Sequence, residues 1–458
     1  AMTGRCQRRA RRALATLLGV ALLSTPALAH GGSLGSAGRQ SVSVPTWLVL
    51  FTGGAAVGAS FLLASFVTDR RLIRDIESWT RSLVTRGATL DALTTPFRVA
   101  GVVLLAATVT ITLGGPQQSL ANAGLLLVWV GWWAGFTMST YVLGNTWPAV
   151  NPWRTIGTIL PTLDRSYPAW GVWPATIALL TLVWVEVASP IADAPDVLGG
   201  VVLAYTLVTL VGAVVFGPET WFDRADPVAR VFDHYGHVAP FQRDDSAVVT
   251  RLPGMALTDL SVSSRSEVAF VVALLWVTTF DGFVATPAWR TIADAATPVV
   301  PLLVLYPLAL VVGFALFLGA FYGAARLSRR TANTYLTTAT LARQFAPALL
   351  AIAAGYHLAH YLGYFLSLLP ALFAVAAAPL DPPATVTLLV LPSWFETVGM
   401  TAILLGHLLA IWVAHGTAYD IFPGRLQAIR SQYPFIAVMV FYTMTSLWII
   451  AQPEVTPP

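Results

Sequence analysis

Lysine is missing from this chain: every one of its 26 basic residues is an arginine. That excludes Schiff-base chemistry and any lysine nucleophile. Charge of either sign is scarce, at 10% of 458 residues, where soluble domains carry about a quarter. The single cysteine, Cys6, lies in the first few residues and supports no disulfide framework. No glycine-rich phosphate loop is present, which argues against a chain that drives transport with ATP by itself. The net charge of +4 comes from arginines at the edges of apolar runs, a membrane pattern rather than a nucleic-acid one.

What is present is hydrophobic, at 56%. A helix needs about 20 apolar residues to cross the hydrocarbon core. Ten segments qualify: roughly 46–68, 97–114, 120–142, 170–189, 197–216, 268–286, 298–324, 344–374, 397–416 and 434–451. The start reads as a secretory signal. Arg5, Arg8, Arg9, Arg11 and Arg12 precede a short apolar stretch, then Pro26 and the small-residue site Ala27-Leu28-Ala29. Cleavage after Ala29 removes Cys6 and makes His30 the new N-terminus, outside the cytoplasm.

From that start, alternate connections fall inside. These carry Arg70, Arg71, Arg74, Arg81, Arg86 and Arg98, then Arg154 and Arg165, then five arginines between 224 and 265. Arg326, Arg329, Arg330, Arg343, Arg425 and Arg430 complete the inner set, against Arg39 and Arg290 outside. This is the positive-inside distribution. The expectation is an all-α polytopic membrane protein of the plasma membrane, with about ten transmembrane helices in one bundle and both mature termini outside. Its parts are a signal at 1–29, an extracytoplasmic tail at 30–44 and one membrane domain at 45–458. Residues 69–95 suit an amphipathic surface helix, 145–156 an interfacial or re-entrant piece, and 217–266 a long cytoplasmic loop.

Ionisable groups inside spans are costly and mark functional candidates. They are Glu186, Asp281, His357, His360, Glu396 and His407, with His415 read as interfacial. His357 and His360 share a helix face at i, i+3. His407 follows on the next helix, and Asp281 is expected at the height of His360. Histidines with one carboxylate suit a divalent ion such as zinc, copper or manganese, held by His360, His407 and His357, with Asp281 as ligand or general base. His30, with its free α-amine, could add a copper-type chelate. Glu186 and Glu396 read as polar rim groups, and His234 and His237 as solvated loop residues.

Several stretches resemble integral-membrane proteins of the fenitrothion hydrolase family: ALAHG (27–31), TTFDGFVATPAW (278–289), APALLAIAAGYHLAHYLGYF (346–365), GHLLAIWVAHGTA (406–418) and SQYPFIAVMVFYTMTSLWII (431–450). The inner segment GPETWFDRADPVARVFDHYGHVAPF (217–241) is also similar. The resemblance implies a membrane-embedded hydrolase that releases a phenol from an apolar organophosphorus triester. Other classes stay open on the residues alone: a copper-handling or redox membrane component with a membrane or extracytoplasmic protein partner, a b-type cytochrome, or a secondary transporter.

Overall fold

The computed structural model describes residues 46–84, 87–244, 247–453 and 455. The expected leader, the N-terminal tail and His30 lie outside the described residues. The chain is a helical bundle with one small sheet. In order come α1 (Thr46–Ala64), α2 (Arg70–Ser78), β1 (Thr80–Val84), α3 (Gly87–Gly114) and α4 (Ala123–Leu143). Short helices α5 (Trp147–Val150) and α6 (Pro152–Gly157) follow, then α7 (Trp173–Ala188) and α8 (Pro195–Phe216). A polar-faced segment then gives α9 (Pro218–Arg224), α10 (Pro227–Gly236), β2 (Phe241–Asp244) and β3 (Ala247–Arg251). The last part is α11 (Arg265–Val284), α12 (Pro287–Ala296), α13 (Leu302–Thr331), α14 (Thr338–Phe345), α15 (Ala348–Ala377), α16 (Glu396–Ile421) and α17 (Arg425–Ile450).

Each of the ten expected segments falls on a helix. Eight of these helices are long and apolar enough to cross a membrane, and α1 and α7 supply two shorter apolar helices. The chain is a multi-pass, all-α membrane protein. α1 runs antiparallel to α17: Gly53 packs on Leu447, while Phe61 meets Tyr433. The start of α1 and the end of α17 therefore share one end of the bundle, as an even number of crossings requires.

α11 is the central post. Its sequence is apolar all round, the pattern of a helix with no solvent or lipid face, and nearly every side chain from Ser266 to Val284 is buried. It packs against α7, α13, α14, α15 and α17. Its start is fixed by a capping box in which Glu267 N–H donates to Ser264 Oγ and Ser264 N–H to the Glu267 carboxylate. α15 and α16 approach most closely, through Gly355 and Gly406. A Cβ on Gly355 would lie 2.7 Å from Ala402 O, and one on Gly406 2.6 Å from Ala351 O. Small residues let apolar helices meet backbone to backbone.

At the arginine-rich end two expectations are corrected. Residues 69–95 do not form one surface helix: α2 stops at Ser78, and Trp79 turns extended to begin β1. β1 pairs antiparallel with β3, and β3 with β2, giving the order β1-β3-β2 with Thr80 opposite Arg251 and Phe241 opposite Thr250. The 217–266 segment is likewise built rather than loose, two helices and a hairpin. The cause is non-local pairing, since neither strand stands without the other. Residues 145–156 hold the short helices α5 and α6.

Candidate active site

The site begins on α15, where the turn from His357 to Tyr361 faces α11 and α4. His360 Nε2 lies 3.2 Å from Asp281 Oδ2, and both side chains are nearly sealed, at 11% and 7% exposed. Tyr361 Oη donates to the same Asp281 Oδ2 at 3.0 Å. Trp133 Nε1 in turn donates to Tyr361 Oη at 3.0 Å. A carboxylate on α11 thus gathers an imidazole and a phenol from α15, with an indole from α4 behind the phenol. Buried polar networks of this kind hold their members in one geometry when each is satisfied.

One local feature of α4 accompanies this arrangement. Leu127–Phe136 is π-helical, set between α-helical turns. Wider i→i+5 turns change where side chains point and recur at functional sites. The run contains Trp129, Trp132 and Trp133. The ring of Tyr361 sits centrally, 4.6 Å from that of His357 and 4.8 Å from that of His360. His357, one turn below, uses Nδ1 to reach Tyr141 Oη at 3.1 Å and packs on Tyr235 at 5.9 Å. Its Nε2 is buried without a hydrogen-bond partner.

The structure brings Asp281, His360 and His357 into one neighbourhood but leaves His407 out of it. Gly399 packs on Ala359, whereas Gly406 packs on Ala351 and Gly355. His407 therefore stands eight residues of helix from the level of His360, about 12 Å. Its Nδ1 sits 2.8 Å from Ile403 O of its own helix. The height error has a physical source. The 379–394 connection is not a loop held at the bundle's end: it descends beside α15, with Leu389 N–H donating to Ser367 O and Phe395 packing near Gly363. α16 consequently starts partway down, and Glu396 with it.

The remaining candidates are dispersed. Glu186 lines a cavity described below. His415 is fully buried, with Nε2 2.9 Å from Val67 O and Nδ1 3.3 Å from Gln432 Oε1. His234 is not a solvated loop residue. It is buried on α10 with Nδ1 2.8 Å from Arg230 O, and burial and then the Arg230 charge hold its imidazole well below the usual range. His237 faces solvent.

Whether a metal fits is a matter of donors reaching one point. A catalytic zinc takes three protein ligands. Among the described residues, no three His, Cys, Asp or Glu side chains are grouped to hold an ion. Asp281 and His360 meet, His407 lies at another level, and His357 Nδ1 is engaged by Tyr141. The described residues do not fit the expected site. A haem between α15 and α16, with His407 and a histidine of α15 as axial ligands, meets a steric objection: the two backbones are in contact at Gly355 and Gly406.

Between α3, the π-helical turns of α4, α7, α8 and α10 lies a cavity of about 570 Å³, lined almost wholly by apolar side chains. Trp133 belongs to both features, one of the rings lining the cavity and the donor to Tyr361. Comparison with known proteins adds no identity, since no family model, curated protein or solved structure matches the chain.

Proposed function

We propose that this protein is a membrane-embedded hydrolase of neutral, apolar esters, of the organophosphorus triester class that its resemblance to fenitrothion hydrolases implies. The observation that carries the reading is the Asp281–His360 pair, 3.2 Å apart with both side chains nearly sealed. A carboxylate that engages one imidazole nitrogen fixes the ring's orientation and tautomer, leaving the other nitrogen as base. His360 then takes a proton from water as the water oxygen bonds to phosphorus. The bond from phosphorus to the aryloxy oxygen breaks, and His360 returns the proton to the departing aryloxide. Asp281 stabilises the imidazolium between the two transfers, and Tyr361, held by Trp133, keeps the carboxylate in place. Neutral triesters partition into lipid, which gives a reason for a base in the interior of a bundle rather than on a loop. The same reading has the signal sequence removed and the arginine-rich end toward the cytoplasm of a plasma membrane.

The test is release of 4-nitrophenolate from 4-nitrophenyl diethyl phosphate by the purified full chain in lipid nanodiscs, with bound metal measured on the same sample. Turnover that disappears in both Asp281→Asn and His360→Ala supports the pair as the base. Turnover untouched by either change refutes it. One equivalent of copper without turnover would instead favour the metal-handling class.

A further inference from the structure

The base pair needs a route by which an apolar molecule reaches it, and the cavity beside Trp133 has the features of one. Its outer wall is α3, a span left largely uncovered by the rest of the bundle. Phe97 and Leu104 of that wall line the cavity and are about half exposed on the bundle surface, at 52% and 50%. An opening flanked by such residues faces lipid, not water. The inner lining presents the indoles of Trp129, Trp132 and Trp133, flat surfaces suited to an aryl group. The volume, about 570 Å³, lies in the range of pockets that enclose a small organic molecule.

One carboxyl group stands in this wall. It belongs to Glu186, near the end of α7. Hydrolysis turns a neutral triester into an anionic diester, and a wall this apolar, with little to solvate an ion, holds the first and rejects the second.

We infer that this cavity is the binding chamber for a neutral aryl ester that enters sideways from the bilayer, and that its apolar wall excludes anions. The inference rests on the hydrolase reading for the identity of its occupant. Its position against Trp133 sets the aryl group one residue away from the Tyr361–Asp281–His360 chain.

The experiment uses the full chain carrying Asp281→Asn, in phosphatidylcholine nanodiscs, so that binding is read without turnover. 4-Nitrophenyl diethyl phosphate quenches nearby indoles and should do so saturably. Val201→Trp, which fills the cavity from α8, should weaken that binding roughly tenfold or more. The anionic 4-nitrophenyl ethyl phosphate should not bind. Because Val201→Trp could impair folding, an aryl-diazirine triester is also photolysed on the unmutated chain, with label expected within 127–133 or 182–202. Quenching that only rises linearly with probe in the lipid, or label confined to other helices, overturns the inference. So does displacement of the probe by phosphatidylcholine with brominated acyl chains, which would make the cavity a lipid site. Saturable binding at these residues with no turnover by the unmutated chain supports the chamber and sinks the hydrolase reading. Turnover that ignores Val201→Trp in a folded protein does the reverse.

Discussion

His360 and His407 occupy adjacent helices in the same bundle, yet they differ in every chemical respect. His360 faces across to α11 and meets Asp281, with Tyr361 on the same carboxylate oxygen. His407 is sealed against its own helix, Nδ1 on the Ile403 carbonyl and Nε2 buried with no partner. A histidine whose partner is the i−4 carbonyl of its own helix is held by local geometry that any helix offers. One whose partner is a carboxylate on another helix is held by tertiary structure. The comparison teaches that intramembrane polarity marks candidates, whereas cross-helix partners separate them.

The largest effect that sharpens this contrast is on rate. Removing His360 as alanine, or Asp281 as asparagine, should lower turnover of a neutral triester by roughly 10²–10⁴-fold, the usual contribution of a positioned acid–base group. His407→Leu should leave turnover within about threefold, since no partner across a helix interface is lost. Nitrophenolate release under saturating substrate decides it. Equal losses at the two positions would mean that the bundle, not the dyad, is being measured.

Next is the contact that sets the two histidines at different heights. Gly406→Ala places a Cβ against Ala351 O, with backbone on the other side and no flexible side chain to move. Overpacking of this kind costs about 1–3 kcal/mol. A fall in the melting temperature of the detergent-solubilised protein is expected, accompanied by loss of activity only as the protein unfolds. An unchanged melting temperature would contradict the close α15–α16 approach on which the 12 Å offset rests.

A smaller effect separates positioning from catalysis. Tyr361→Phe removes the donor to Asp281 and leaves Trp133 Nε1 without its acceptor. The expected loss is about tenfold in kcat with little change in KM, the size of one hydrogen bond in a buried network. Moving the hydroxyl back by tyrosine-bearing revertants should restore it. A change confined to KM would place Tyr361 in substrate binding instead.

Much of this architecture was legible beforehand, and the reason is the solvent. In hydrocarbon, backbone groups must pair within the segment, so each apolar run of sufficient length becomes a helix. All ten runs behave so, including the marginal one around Trp173–Ala188. Asp281, His357 and His360 were likewise visible as costly groups. Pairing between distant segments was not. β1 and β3 are 164 residues apart at their closest register partners, Val84 and Val248. Tyr361 and Trp133 were passed over because aromatic residues are ordinary in spans. The available signal was chemical: a buried phenol or indole needs a hydrogen-bond partner, and Tyr361 stands directly beside His360. The descent of 379–394 beside α15 had no signal of that kind, and it displaced His407.

The smallest effect concerns a carboxyl group that lies outside the Asp281–His360 pair. Glu77 on α2 is buried against Gly416 of α16, where a Cβ would collide with it, and its Oε1 has no hydrogen-bond partner. Burial, and then the charges of Asp420 and Asp259, push its pKa up from 4.5 to about 7. The folded state therefore holds a proton that the unfolded chain has already lost between these values. By linkage, the stability associated with the protonated group is present below about pH 4.5 and is lost as pH rises through about 7. Glu77→Gln keeps the shape and cannot ionise, so it should melt a few degrees above the wild type at pH 8. The gap should close as pH falls toward 5, where both side chains are neutral in the fold. Thermal melts across that interval read the difference directly. A gap that persists or grows at low pH would show that Glu77 is ionised and supported in the fold.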